Sequence, residues 1–374
     1  MKRWEISALQ ASLLIMGMIS MSGHALTTTQ FLRAGGRDTW MVGLIALPAG
    51  ILAAWALTRL RLMFPSDTLV QYLPKVFGYA GYVIAALYVV YFFVVVVFTL
   101  RMTTDWMVDS ILTETPSWIM GVLYIAAVAY TALGGLDVVA RTNQFTLALL
   151  VGFGFLVSFS TMQAKDYRLL LPFFEKGYGP VLSAAFLCLG YYGEVSVVGI
   201  FDAYVKRKEQ KQLFKWYLLA LFFAAGVFTG PVAGSMATLG YRVAQNMPYP
   251  TFQHWLMVSY PRFFERIDLL AVHQWLAGGY VRCAVYLLLA SRGLCQLVAV
   301  KRVPEKWVLS AVAIVSVIVS ELAWDSKPSF DRFIMDVYLP VGAYLGTLFP
   351  PVIWLVALVR GLGKASQGKQ TYGG

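Results

Sequence analysis

Glu194 and Arg282 are charged residues that lie inside long apolar stretches of the sequence. An ionisable side chain at membrane depth is costly unless it is paired or wetted, so each is a candidate functional residue. Arg282 lies about eleven residues, or roughly 16 Å of helix, into its stretch, and Glu194 lies at a comparable depth. We therefore expect Arg282 to pair, directly or through water, with Glu194 or with a ligand carboxylate. A structural ion pair that only sets helix packing is the alternative interpretation.

Small residues crowd the middle of two apolar stretches. One cluster contains Gly17, Ser20, Ser22 and Gly23, and the other reads Gly190, Tyr191, Tyr192, Gly193 and Glu194. Glycine lowers helix propensity by about 1 kcal/mol relative to alanine, and serine side chains compete for backbone hydrogen bonds. Unwound backbone at membrane depth is tolerated only where it lines protein or a water-filled cavity. The clusters therefore predict two broken helices around a ligand site, with close helix packing as the alternative.

Such breaks have a specific chemistry. The N-terminal end of one half-helix presents free N–H groups that attract a carboxylate, and the C-terminal end of another presents free C=O groups that attract an ammonium group. A zwitterionic amino acid satisfies both ends. Tyr91, with its neighbours Tyr88 and Phe92, and the tyrosines at 191 and 192 could line the cavity, although aromatic residues at helical spacing are also typical of a core.

The sequence contains no signature of an enzyme, a metal site or a cofactor site. Nucleotide-binding, zinc-protease and hydrolase motifs and paired Cys/His clusters are absent, so we expect no enzymatic activity, no metal and no cofactor. His24, His254 and His273 show no metal-ligand spacing. The three cysteines fall within apolar stretches and are interpreted as core residues.

The elements that must position these residues are membrane-spanning helices. Of 374 residues, 59% are hydrophobic and only 13% are charged, whereas a soluble protein carries roughly 25% charged residues. Apolar runs recur that are long enough to cross about 30 Å of hydrocarbon. They predict an all-α integral membrane protein with about ten spans. The predicted spans are 6–30, 40–60, 79–104, 117–135, 139–162, 178–204, 213–240, 270–299, 307–323 and 333–359.

The net charge of +11 is distributed unevenly along the chain. With the N-terminus inside, the inner segments hold the excess of Lys and Arg, while the outer segments are nearly neutral. This pattern follows the positive-inside rule and predicts that both termini are cytoplasmic. The partner implied by the positive charge is therefore the lipid bilayer and not a nucleic acid. A short amphipathic helix is also predicted over Ser66–Phe77, on the inner face.

Ten spans divide into two sets of five, and an odd number per set gives the second set the opposite orientation. The predicted division is a first inverted repeat at 1–162, a second at 163–360 and a cytoplasmic tail at 361–374. Identity between the halves is not visible, but the predicted breaks fall in the first helix of each set.

Several short segments, in order along the chain, carry a resemblance to a known family. They are Ile6-Ser7-Ala8-Leu9-Gln10, Arg37-Asp38-Thr39-Trp40, Gly193-Glu194, and Arg266-Ile267-Asp268 with Trp275 beyond. In these the chain resembles the endospore germination permeases, the B subunits of spore nutrient germinant receptors, within the amino acid–polyamine–organocation superfamily. It departs from that pattern at Asp268, where Glu is commoner, and at Gly17-Met18-Ile19-Ser20, where a more Gly-rich turn is usual.

The resemblance implies a LeuT-like fold of five plus five inverted helices with broken first and sixth helices. It also implies that the protein senses a small nutrient, typically an amino acid, in the inner membrane of a dormant spore. The implied partners are a membrane-embedded A subunit and a C-subunit lipoprotein. Two alternatives stay open: a proton- or sodium-coupled amino acid transporter with Glu194 as the coupling carboxylate, and a passive water or ion conduit.

Overall fold

The structure is a computed structural model that describes residues 4–21, 27–256, 268–298 and 303–362. These ranges are nearly all helical, and they contain no strand beyond a single bridge between Ile6 and Val205. The all-α membrane architecture predicted from the sequence is confirmed.

The α-helices of the first half begin near the N-terminus and end before 161. They are α1 (Ala8–Met21), α2 (Thr28–Gly35), α3 (Thr39–Met63), α4 (Leu69–Phe77), α5 (Tyr79–Ser110), α6 (Ser117–Leu133) and α7 (Leu136–Ser160). Short 3₁₀ turns follow at Gly36–Asp38, Met162–Ala164 and Tyr167–Leu170.

The second half alternates α-helix with tighter and wider helical turns. Its α-helices are α8 (Tyr178–Tyr192), α9 (Val198–Phe201), α10 (Leu213–Leu239), α11 (Tyr241–Ala244), α12 (Pro250–Leu256), α13 (Asp268–Leu297), α14 (Glu305–Leu322), α15 (Lys327–Phe333), α16 (Leu339–Gly342) and α17 (Phe349–Val359). The 3₁₀ segments are Gly193–Val197, Asp202–Tyr204 and Arg207–Gln212, and the π-helical segments are Ile334–Tyr338 and Ala343–Leu348. Pro340 lacks a backbone N–H, which removes one α-helical hydrogen bond between the two π segments.

Six helical segments of the described chain are long and apolar enough to cross a membrane. They are Thr28–Met63, Tyr79–Ser110, Leu136–Ser160, Tyr178–Tyr204, Arg207–Leu239 and Lys327–Val359, with shorter apolar helices at Ala8–Ile19 and Ser117–Leu133. The chain is therefore a multi-pass membrane protein. The total of ten spans and the division into repeats at 162 stay predictions.

The two ends of helix α4 are determined by residues next to it in the sequence. Thr68 caps it, and its backbone N–H donates to the Gln71 side chain at 3.0 Å in a capping box. The apolar face of the helix is buried, and the helix ends at Gly78, whose φ of +64° favours glycine. The amphipathic helix predicted over Ser66–Phe77 is thus present, three residues shorter at its N-terminal end.

The core that holds the candidate residues is built from a few helices. Helix α13 lies along α5 and also contacts α1, α7 and α14. Helix α8 packs on α3 and on the segment that runs from α16 into Ala343–Leu348. Glu194, just after α8, and Arg282, in α13, therefore meet in the centre of the bundle.

Candidate functional site

Arg282 and Glu194 form a fully buried ion pair. Their side chains are 0% and 1% exposed. Arg282 Nη2 lies 2.9 Å from Glu194 Oε1, and Arg282 Nε donates to both carboxylate oxygens at 3.2 and 3.1 Å. The pairing predicted from the sequence is confirmed. Removing one partner of such a pair leaves an uncompensated charge and costs about 3–5 kcal/mol.

The other donors of Arg282 are also used. Nη1 donates to the Thr99 hydroxyl on α5, and Nη2 donates to the Tyr338 hydroxyl in the π segment before α16. Thr99 in turn donates to the Val95 carbonyl at 2.7 Å. Arg282 thus joins α13, α5, the 3₁₀ segment after α8 and the segment before α16 at one point.

Aromatic rings enclose the guanidinium group. It lies 5.3 Å from the centre of the Phe98 ring and 5.6 Å from that of Tyr286. Phe98 stacks on Tyr338 with centroids 4.0 Å apart. A cation that is desolvated against ring faces gains cation–π attraction. The Tyr286 hydroxyl is buried and has no hydrogen-bond partner among the described residues, so a polar group beside the ion pair is left available.

The chain changes pitch where it carries Glu194. Helix α8 ends at Tyr192, and Gly193–Val197 continues as a 3₁₀ helix into α9. The segment therefore stays helical, and a fully unwound break is not what the structure describes there. A 3₁₀ stretch inside a longer helix is a common position for a hinge. The buried Ser196 hydroxyl in this stretch has no partner among the described residues.

Gly190 and Gly193 serve close helix packing. A Cβ at Gly190 would collide with the Leu339 carbonyl, and a Cβ at Gly193 would collide with Gly342 and Gly346. The backbones of α8 and of the α16 region therefore touch directly, which only glycine permits. The packing alternative explains both glycines, and their part in ligand binding stays a prediction.

The three tyrosines of the predicted site occupy different surroundings. Tyr191 donates to the Ala224 carbonyl of α10 at 3.0 Å, and Tyr192 donates to the Gly43 carbonyl of α3 at 2.8 Å. Their hydroxyls thus tie α8 to two other helices. Tyr91 is 3% exposed and its hydroxyl lies beside Gly342, close to the ion pair. Tyr91 lies near Glu194, Arg282 and Tyr338, whereas the hydroxyls of Tyr191 and Tyr192 bond to α10 and α3.

The first predicted cluster is described in part. Gly17 lies in α1, which contacts the 3₁₀ segment after α8. Ser22 and Gly23 lie outside the described residues, as does the Ser20 side chain. The predicted break of the first helix is therefore untested.

The structure adds residues that the sequence analysis missed. Asn143 of α7 faces Gly17, is 1% exposed, and has no side-chain hydrogen-bond partner among the described residues. Thr99 and Tyr338 hold Arg282, but a threonine hydroxyl on an apolar helix is usually satisfied by its own backbone, and a tyrosine on such a helix is typical of a core, so no local signal identifies them. In the described ranges no group of three or more His, Cys, Asp or Glu residues is placed to hold a metal ion.

The sequence is similar to a known protein family along most of its length. The family model for spore germination proteins, the spore permeases, matches residues 5–326. The chain belongs to the spore germination permease family. It is 26% identical to spore germination protein XB of Bacillus anthracis, over 90% of this chain and 93% of that protein. It is 24% identical to spore germination protein KB of Bacillus subtilis strain 168, over 77% of each.

Solved structures show the fold of this family member. MhsT in complex with L-phenylalanine aligns with a TM-score of 0.68 at 14% identity, over 93% of this chain and 90% of MhsT. Mhp1, a nucleobase-cation-symport-1 family transporter with bromovinylhydantoin bound, aligns with a TM-score of 0.66 at 13% identity, over 96% and 91%. These likenesses confirm the LeuT-like transporter fold that the family resemblance implied.

Proposed function

We propose that this spore germination permease is the B subunit of a germinant receptor and binds a small nutrient, an amino acid, in mid-membrane beside Arg282 and Glu194. The observation that carries the proposal is the buried ion pair on a 3₁₀ stretch, in a fold whose solved relatives include complexes with small solutes. Buried charge in a membrane is retained where it serves a pathway or a ligand.

The geometry suggests how a ligand would act. Each of the three guanidinium nitrogens of Arg282 donates to Glu194, Thr99 or Tyr338, so a ligand carboxylate must compete with these acceptors. A zwitterion can do so without leaving a charge unpaired, because its carboxylate takes Arg282 while its ammonium group takes Glu194. The unpaired hydroxyls of Tyr286 and Ser196 supply further hydrogen bonds.

Such an exchange would move more than one helix. Arg282 connects elements from both halves of the chain, so a change of its partners favours a different arrangement of α5, α13 and the segment before α16. A ligand shifts a conformational equilibrium by its differential affinity for the two states. We infer that this shift is passed to an A subunit, with a C-subunit lipoprotein as the further partner, in the spore inner membrane with both termini cytoplasmic.

Germination of intact spores tests this function. Spores that carry Arg282→Met or Glu194→Gln should lose the response to the amino acid that triggers the wild type, with the receptor present at wild-type abundance in the inner membrane. The matched control is Arg168→Met, which removes an arginine whose side chain is 88% exposed and is paired with Asp166. An unchanged response in both site variants would rule out the functional role of the ion pair.

The second candidate is a coupled amino acid transporter. It is favoured by the transporter fold and by the placement of a carboxylate, Glu194, in the centre of the bundle. Purified protein in liposomes would then accumulate an amino acid when a pH or sodium gradient is applied, and Glu194→Gln would abolish coupling. Ligand-gated flux without accumulation would indicate a passive conduit instead.

A further inference from the structure

A cavity of ≈ 580 Å³ lies at the end of the bundle that the charge pattern predicts to be outer. It is enclosed by α2, the outer part of α5, the segment 246–249 and α15. Arg33 fixes the rim, because its Nε donates to the Gln245 carbonyl at 3.1 Å. The volume of the cavity falls within the range of roughly 300–1,000 Å³ that is typical of small-molecule binding sites.

The lining of this outer cavity carries charges of both signs. Asp105 and Asp331 are its acids, and Arg33, Lys327 and Arg332 are its bases. The ion pair between Arg33 and Asp331 at the rim of the cavity is weak. Arg33 Nη1 lies 3.7 Å from Asp331 Oδ2, and the Arg33 side chain is 52% exposed. A mixed set of this kind favours a ligand that itself carries both charges.

Two lining groups are unused. Gln30 is 7% exposed, and its Nε2 donates to Asp331 at 2.9 Å, but its Oε1 has no partner among the described residues. Arg332 is exposed and forms no ion pair within the described chain. The cavity therefore offers an acceptor next to a carboxylate at one place and a free guanidinium group at another.

An aromatic layer separates the cavity from the ion pair in mid-membrane. Phe330 lines the cavity and lies 5.9 Å from Phe98, the ring that stacks on Tyr338 and covers Arg282. Met102, also in the lining, is four residues beyond Phe98 on α5, which is about 6 Å of helix. The cavity is thus a separate compartment, one helical turn outward of Arg282.

We propose that the outer cavity is a second binding site for a zwitterionic α-amino acid. Gln30 Oε1 and Asp331 bind the ammonium group, Arg332 binds the carboxylate, and Met102 and Phe330 contact the side chain. The ligand class rests on the proposed function, whereas the place of the site rests on the cavity alone. The site holds the amino acid before the aromatic layer opens toward Arg282.

Equilibrium binding to the purified full chain in lipid nanodiscs tests this site, with each of the standard amino acids as a probe. For the amino acid that binds best, Asp331→Asn and Arg332→Gln should each weaken binding at one site about tenfold, as expected for a lost charge-assisted hydrogen bond. Glu194→Gln should leave that site intact. Arg168→Gln is the matched control for a lost outer arginine, and unchanged melting of each variant shows that it is folded.

Ligand analogues assign the two ends. The methyl ester of the same amino acid, which lacks the carboxylate charge, should bind Arg332→Gln and wild type equally. The analogue without the amino group should bind Asp331→Asn no more weakly than wild type. Binding that is lost only in Glu194→Gln or Arg282→Met, with the outer variants unaffected, overturns the outer site and leaves the proposed function standing. If no amino acid binds to wild type, the proposal of an outer site is also overturned. The proposed function is then tested separately by the germination response of intact spores.

Discussion

The two ends of the helix bundle are held closed in different ways. At the predicted inner end, Arg292 is 7% exposed and lies 4.3 Å from the Trp4 ring centre, with Nε donating to the Tyr204 hydroxyl at 3.0 Å and Nη1 paired with Glu305. At the outer end, Arg33 and Lys327 are about half exposed and surround an open cavity. Arg292 of the inner cluster is thus buried, whereas Arg33 and Lys327 beside the outer cavity are half exposed to solvent.

Hydrogen bonds of the backbone also hold the inner end together. Ile6 N donates to the Tyr204 carbonyl at 3.0 Å, Lys206 N donates to the Ile6 carbonyl at 3.1 Å, and Ala8 N donates to Glu209 at 2.8 Å. The chain before α1 is therefore tied across the inner end. Exposed ion pairs contribute about 0–1 kcal/mol, whereas breaking a buried one costs several. We therefore expect the structure to open more readily at the outer cavity than at the cluster around Arg292.

Between the two ends, the largest expected effect comes from removing the inner arginine, Arg292. Arg292→Met should destabilise the protein by about 3 kcal/mol, because it leaves Glu305 without its partner and removes the cation from two rings. Arg33→Met, its matched control at the outer end, should cost less than about 1 kcal/mol. Reversible unfolding in detergent with a chemical denaturant measures both. Equal costs would remove the energetic difference between the two ends.

A second prediction concerns access to the inner end. Cys295 lies three residues beyond Arg292 and is buried, and Cys188 and Cys283 are free and buried in the core. In Arg292→Met we expect maleimide to modify Cys295 severalfold faster, while the other two cysteines stay slow, because only the inner cluster has loosened. Mass spectrometry of labelled peptides separates the three sites. Faster labelling of all three would indicate global unfolding instead.

The smallest expected effect is a pH dependence at the outer end. His254 is 2% exposed in α12, and burial, together with the Lys165 ammonium group, lowers the pKa of its imidazole to about 3. An unfolded histidine has a pKa of about 6.5. Between these two pKa values the imidazole of the unfolded chain is protonated, whereas that of the folded chain stays neutral. The contribution of His254 to the free energy of unfolding is therefore fully present above about pH 6.5 and decreases as the pH falls toward 3.

Thermal melting in detergent between pH 7 and pH 5 measures this dependence. The melting temperature of wild type should decrease over that range, and His254→Gln should flatten the profile. His273→Gln controls for the removal of a histidine from the same region. A wild-type slope that His254→Gln leaves intact would assign the dependence to other groups.

The sequence predicted the features that carry a large free-energy cost. Long apolar runs require membrane helices, and two buried charges of opposite sign at similar depth require each other, so the pairing of Glu194 with Arg282 follows from the sequence and is confirmed. Thr99 and Tyr338 could not be predicted, because their bonds to Arg282 depend on how α5 and the segment before α16 pack on α13. Nothing local distinguishes them from other hydroxyls on apolar helices.

The role of the two glycines after the middle of α8 could not be predicted from the sequence either. Gly190 and Gly193 give the same sequence pattern whether they interrupt a helix or let two backbones touch. Their role is decided by contacts with Leu339 and Gly342, about 150 residues later in the chain. The outer cavity was also outside the reach of sequence patterns, since α2, α5 and α15 contribute to it from distant positions.

Direct ligand binding is the measurement that tests the central claim, a ligand site beside Arg282 and Glu194. The purified chain is offered a panel of amino acids, sugars and nucleosides. We expect at least one amino acid to bind, with affinity for a site that Arg282→Met and Glu194→Gln each reduce about tenfold or more and Arg168→Met leaves unchanged. Amino acid binding that is equal in wild type and both site variants, or binding of sugars or nucleosides alone, would contradict the account.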